Sequence, residues 1–231
     1  MKYLKKFATE SDVFLLDSPN IVLVEDTKRV LYNVRPNGVF IQHINNKLYS
    51  ADAWSAQGFA KEEANGVAVI DSACSFVISK DGVAGNATNT WGGSGLEITN
   101  TISAATIEEA VLDYDGLNNT LNIVNDCRDY KDDAGIIGAP SAEACKNYIF
   151  PNGQVGYLPS MGELQVAYNW KTDIDAAMAL IGKPVYVGTY LWSSTRYSQF
   201  YAWQLRWPDG GTLRQSRSKF GGPLPFAPLN L

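Results

Sequence analysis

Large apolar residues alternate with small or polar ones between Tyr201 and Trp207. Tyr201, Trp203, Leu205 and Trp207 share one parity, and Ala202, Gln204 and Arg206 the other. A period of two belongs to a strand with one face in a core and the other in water. Pro208-Asp209-Gly210-Gly211 follows with turn chemistry, proline presetting φ and glycine accepting positive φ. Thr212-Leu213-Arg214 then resumes the alternation, which predicts a hairpin. Its outer face is expected to carry Gln204, Arg206, Thr212 and Arg214, flanked by Arg196, Gln199, Phe200, Gln215 and Arg217. Tyr, Arg, Ser, Gln and Gly above an aromatic floor suit a recognition surface, although an ordinary hairpin with a solvated face shows the same pattern.

The same reading divides the rest of the chain. Ile21–Val24 and Arg29–Tyr32 flank Glu25-Asp-Thr-Lys and read as a small hairpin, with Arg35-Pro36-Asn37-Gly38 turning the chain after it. A hairpin this short is not stable alone. Residues 1–36 are therefore expected to pack on the remainder as an edge strand, or to serve attachment or oligomerisation. Residues 37–231 form the main domain. Within it Gly38–Ile44, Lys47–Tyr49, Val67–Ile70 and Phe76–Ile78 read as strands. Ser50–Trp54 reads as a capped helical turn and Phe59–Ala64 as a short helix. Residues 80–105, rich in Gly, Asn, Thr and Ser, read as a long loop around Trp91.

Helices are expected from Thr106, from Leu117 to about Asn125, and from Ser141 to Tyr148. The cleanest start signal is Ser160-Met-Gly-Glu163, a capping box with serine at N-cap and glutamate at N3. A further helix from about Asp173 stops at Gly182.

Composition fits an ordinary folded protein: 231 residues, 45% apolar and 19% charged. No apolar run approaches the length of a membrane span. The basic start, Met1 to Phe7, resembles the head of a signal peptide, but Glu10 and Asp12 interrupt any apolar stretch behind it, so export by that route is not expected. Cytoplasmic synthesis followed by display on a virion or cell surface stays open. Net charge is −5, unevenly spread. Residues 183–231 carry six Lys/Arg and one Asp, a net +5, against −10 for residues 1–182. A basic cap on an acidic body could attract anionic partners such as acidic glycans. Nucleic acid is not expected, since neither a Lys/Arg run nor a nucleic-acid motif occurs.

Candidate chemistry is sparse. Cys74, Cys127 and Cys145 match neither a disulfide framework nor a zinc pattern and read as buried thiols. His43, the lone histidine, reads as structural. Trp91-Gly-Gly-Ser-Gly lacks the ending of a phosphate loop. The aspartates of 126–133 lack EF-hand spacing and read as a solvated loop. No cofactor or metal is expected.

The succession Gly156-Tyr-Leu-Pro-Ser-Met-Gly-Glu163, a helix, Leu191-Trp-Ser-Ser-Thr195 and Ala202-Trp203 resembles the C-type-lectin fold in its formylglycine-generating-enzyme-like branch. It is most similar to variable proteins of diversity-generating retroelements from gut bacteria and their phages, and the likeness spans most of residues 37–231. The resemblance implies an α+β fold of short antiparallel strands, two or more helices and long loops. It also implies a variable region at about 190–231. Its ligand-binding set would be Arg196, Gln199, Phe200, Tyr201, Gln204, Arg206, Pro208, Asp209, Gly211, Arg214, Gln215, Ser216, Arg217 and Phe220, on a scaffold of Trp192, Trp203, Leu205 and Trp207. Tyr201 has inward parity, and the Phe220–Leu231 ending departs from the family's pattern. The cysteine pair of the family's oxidases is absent, since no cysteine follows Cys145, and so are calcium-lectin motifs.

The implied function is non-enzymatic binding of a protein or glycan receptor, calcium-independent, as in a phage tail-fibre tip or adhesin; homo-oligomeric display through residues 1–36 stays open beside it. The alternatives are a structural virion or surface component and an enzyme using Glu163 in the C-terminal cleft.

Overall fold

The computed structural model describes residues 21–24, 31–34, 36–83, 89–182 and 190–229. The basic N-terminal start, the tip of the 80–105 loop and Lys183 lie outside them. Strands β1 (Ile21–Val24) and β2 (Leu31–Val34) pair antiparallel, Ile21 opposite Val34, as the apolar blocks around Glu25–Lys28 suggest.

The main body is α+β. Strands β3 (Gly38–His43), β4 (Leu48–Tyr49), β5 (Ala64–Ile70), β6 (Ser75–Ser79) and the late β12 (Phe226–Pro228) form an antiparallel sheet in the order β12-β6-β5-β3-β4. Central β5 is buried along its whole length. Val67 and Val69 join Ile41, Phe76 and Ile78 in the largest core, while Ala68 and Ile70 join Phe40, Val77 and Phe150 on the other face. That two-sided cover explains its nearly unbroken apolar sequence.

Helix α1 (Ala51–Gln57) is capped by Ser50, whose hydroxyl accepts from the Ala53 N–H at 3.1 Å, and ends at the left-handed Gly58. Only a single 3-10 turn, Lys61–Glu63, forms where a short helix was expected. The chain is drawn into β5 from Ala64, so pairing overrides local propensity. Helices α2 (Ile107–Ala110), α3 (Gly116–Cys127) and α4 (Pro140–Lys146) follow. Helix α5 (Met161–Asn169) opens with the Ser160/Glu163 capping box, and α6 (Lys171–Ile181) begins immediately after Trp170 and ends at Gly182. Both bury apolar faces in the largest core, α6 against β3 and β5.

The C-terminal ribbon has three strands: β8 (Tyr190–Arg196), β9 (Tyr201–Arg206) and β10 (Thr212–Ser216), in the order β10-β9-β8. Trp203, Leu205 and Trp207 enter the largest core beside α5. Ala202 and Trp192 belong to a second core with Trp91, Ile98, Ile123 and Leu158. The ribbon is thus covered on both faces along β9, rather than wet on one. The tail then pairs twice: β11 (Phe220–Gly221) with β7 (Asn89–Thr90), and β12 with β6, where Phe226 stacks on Phe76 at 4.5 Å between ring centroids.

Candidate binding surface

A bulge fixes the ribbon to the body. Trp192 faces Gln204 and Arg196 faces Ala202, so Ser193, Ser194 and Thr195 bulge against the single residue Trp203. All three are buried and bonded. The Ser193 hydroxyl donates to the Trp203 carbonyl at 2.8 Å, and the Ser194 N–H to the Pro159 carbonyl at 2.7 Å. The Thr195 hydroxyl donates to Asp113 Oδ2 at 2.7 Å and accepts from the Met161 N–H at 2.8 Å. Asp113 also accepts from Asn119 at 2.8 Å, and its carbonyl accepts from the Ser160 hydroxyl at 2.6 Å. The bulge is therefore sewn to the N-terminus of α5. Indole N–H groups complete the attachment: Trp91 to Ser193 O, Trp192 to Asn89 O and Trp203 to Ala104 O, at 2.8 to 3.0 Å. The four scaffold residues Trp192, Trp203, Leu205 and Trp207 are all buried.

Beneath the bulge, Glu163 closes the capping box, accepting from the Ser160 N–H at 2.7 Å and from the Tyr157 hydroxyl at 2.8 Å. Burial pushes its carboxyl up to about 7 against the opposing pull of these hydrogen bonds. Only 5% of the residue is exposed, and both carboxylate oxygens accept hydrogen bonds within the cap.

Above this platform the fourteen residues of the implied binding set separate into two groups. Gln199, Phe200, Tyr201, Pro208, Asp209, Arg214 and Phe220 are exposed, Phe200 by 47%, Tyr201 by 43% and Phe220 by 68%. Gly211, Gln215 and Ser216 are half-buried beside them, and Arg206 is half-exposed. Tyr201 opens outward despite its inward parity, because it begins β9 at the edge of the core and rests edge-on against Tyr197.

Gln204, Arg196 and Arg217 contradict the expectation. Gln204 is 1% exposed, packed where Gly221 of β11 crosses the ribbon so closely that a Cβ on Gly221 would overlap its amide. Arg196, 3% exposed, bonds Thr101 twice and pairs with Glu97. Arg217 is fully buried, stacked 4.3 Å from the Trp91 ring centroid, and donates to the carbonyls of Gly93, Leu96 and Ser198. Burial, helped by the nearby Arg196 charge, lowers its pKa to about 10. Arg196 and Arg217 thus clamp neighbouring segments, and all three side chains are enclosed rather than at the surface. The layer that buries them arrives from residues 89–101 and 221, too distant in sequence for the local alternation to register.

No family model, curated protein or solved structure matches the chain.

The basic cap shrinks for the same reason. Arg196 and Arg217 are consumed inside, and Arg206 pairs with Asp209, whose carboxyl that hydrogen bond holds below its usual value. Arg214 and Lys219 are the exposed cations of the described ribbon with no acidic partner among the described residues. Arg214 stacks 4.6 Å from the Tyr197 ring centroid and donates to the Tyr197 hydroxyl at 2.7 Å. Tyr197 and Tyr190, which lies 5.9 Å under Arg206, were not in the expected set. A tyrosine at the start of β8 and another directly after its end are the signal that marks them.

His43 is enclosed by Tyr49, Trp54 and Phe59, and its Nδ1 accepts from the Asn45 N–H. The three cysteines are free, burial raising Cys127 to about 11 and Cys74 to about 12. Asp132 is buried, accepting from the N–H groups of Ala134 and Ile136. Among the described residues no acidic, cysteine or histidine group is placed to hold a metal, and no helix is long and apolar enough to cross a membrane.

Proposed function

We propose that this chain is a non-enzymatic binding protein presenting an exchangeable surface from a C-type-lectin-like scaffold, in the manner of the variable proteins of diversity-generating retroelements. Its setting would be a phage receptor-binding tip or an adhesin, with a protein or glycan receptor as target. The observation that carries the reading is the separation within residues 190–220. Gln199, Phe200, Tyr201, Pro208, Asp209, Arg214 and Phe220 are exposed, in turns, at the first residue of β9, in β10 and in β11, while Trp192, Trp203, Leu205 and Trp207 are buried. Side chains that touch little can change at small cost in stability, whereas buried indoles cannot. A preorganised scaffold also limits the entropy lost on binding. Weak single sites would gain from display in several copies, for which residues 1–36 are the proposed attachment.

The test is to sequence this gene and its flanks from many isolates. The reading expects amino-acid changes concentrated at the seven outward positions, none at the four scaffold positions, and a template repeat with a reverse transcriptase nearby. A locus with neither repeat nor enzyme, and with changes scattered evenly over scaffold and surface, overturns it.

A further inference from the structure

The β9–β10 hydrogen bonds fix which way each residue of β10 turns its backbone. The Arg206 N–H donates to the Gly211 carbonyl, and the Arg217 N–H to the Phe200 carbonyl. In an antiparallel pair the bonded positions alternate, so Leu213 and Gln215 turn their backbone groups toward β9. Thr212, Arg214 and Ser216 turn theirs to the other side, where β10 is the edge of its sheet. Ser216 is closed locally, its N–H donating to Gln215 Oε1 at 3.0 Å and its carbonyl accepting from the Lys219 N–H at 2.9 Å. Thr212 and Arg214 thus offer two N–H and two carbonyl groups, spaced by two residues, along an open edge with no backbone partner among the described residues.

Arg214 sits at the centre of this edge, exposed, stacked on Tyr197 and lacking an acid partner. We infer that the β10 edge is a strand-addition site, which accepts an extended segment of a protein partner carrying a carboxylate side chain opposite Arg214. The inference rests on the display reading and gives it a partner class. Backbone bonds to Thr212 and Arg214 hold the segment in register, and the cross-strand pair with Arg214 selects its sequence.

A second copy of this chain is a poor occupant. Pairing two β10 edges about a two-fold axis sets Arg214 opposite its counterpart or one step diagonal to it, and the like charges repel. The competing role for Arg214 is a guard that keeps the edge from pairing with anything.

The experiment titrates the isotope-labelled full chain with the peptide acetyl-Thr-Val-Glu-Val-Thr-amide, following backbone amide resonances and hydrogen exchange. Saturable shifts and slowed exchange are expected at Thr212 and Arg214. The peptide with lysine in place of glutamate should bind at least about threefold more weakly, and Arg214→Glu should reverse that order. Methylating the glutamate's backbone nitrogen should abolish binding. Several results overturn the site: no saturable response, shifts away from β10, equal response to both peptides, or indifference to the N-methyl group. Self-association of Arg214→Thr without peptide binding identifies a guard and also overturns it. The locus sequencing is independent of these outcomes, so a failed titration there leaves the display reading standing while removing its partner class.

Discussion

Arg214 and Arg217 lie three residues apart and have opposite roles. Arg217 lends its guanidinium to three backbone carbonyls and a tryptophan face, all inside the protein, whereas Arg214 is exposed on an edge strand and rests on the Tyr197 ring. Arg217→Ala should cost about 2–4 kcal/mol, because it leaves a cavity and buried carbonyls without donors. Arg214→Ala should stay within about 0.5 kcal/mol, and chemical denaturation of the two variants compares them directly. Glu163 gives a second residue-scale expectation. Its folded carboxyl binds a proton more tightly than an exposed one, about 7 against 4.5, so its contribution is complete below pH 4.5 and is lost as pH rises through 7. Glu163→Gln keeps the cap's acceptor and removes the titration. Relative to wild type it should therefore gain stability between pH 5 and pH 8, by up to about 3 kcal/mol. A stability difference that stays flat across that range would show that Glu163 is not held protonated.

Among the elements, those whose cause is local were legible in the sequence. The Ser160–Glu163 box marks the start of α5, Gly182 the end of α6, and Pro208–Gly211 the β9–β10 turn. The period of two along Tyr201–Trp207 identified a strand, but its second inference, a wet outer face, failed at Gln204. Alternation reports which side chains are large; it does not report what the rest of the chain lays over the small ones. Here Trp91 and Gly221 do so, from more than 100 residues upstream and from the tail. The three-residue bulge of β8 was hidden in the same way, since its partners Pro159, Met161 and Asp113 lie far back in the sequence. Thr195→Val tests its importance. The isosteric change deprives the Met161 N–H of an acceptor and Asp113 of a donor, both buried, and should cost about 2–3 kcal/mol. Faster hydrogen exchange at Ser194 and Arg196 should accompany the loss, and unchanged stability would mean that the bulge is held by packing alone.

At the scale of the whole molecule, the ribbon is a layer between two cores, and the tail secures it. Leu224 and Phe226 reach the largest core, Ala227 reaches the third, and β11 crosses Gln204. Replacing Leu224 and Phe226 with alanine should therefore remove most of the fold's stability, at about 2–5 kcal/mol for each side chain. A six-fold alanine variant at Gln199, Phe200, Tyr201, Arg214, Lys219 and Phe220 changes three times as many residues within the same region, residues 190–231. These side chains share few partners beyond the Tyr197 contacts, so their small effects should nearly add, to no more than about 3 kcal/mol. Thermal melts of the two variants beside wild type measure whether surface and scaffold are separable. Retained cooperative melting in the six-fold variant and its loss in the double variant are what a replaceable surface on a fixed support requires. If the six-fold variant melts as badly as the double one, the outward side chains are themselves part of the support, and a surface open to exchange could not be built from them.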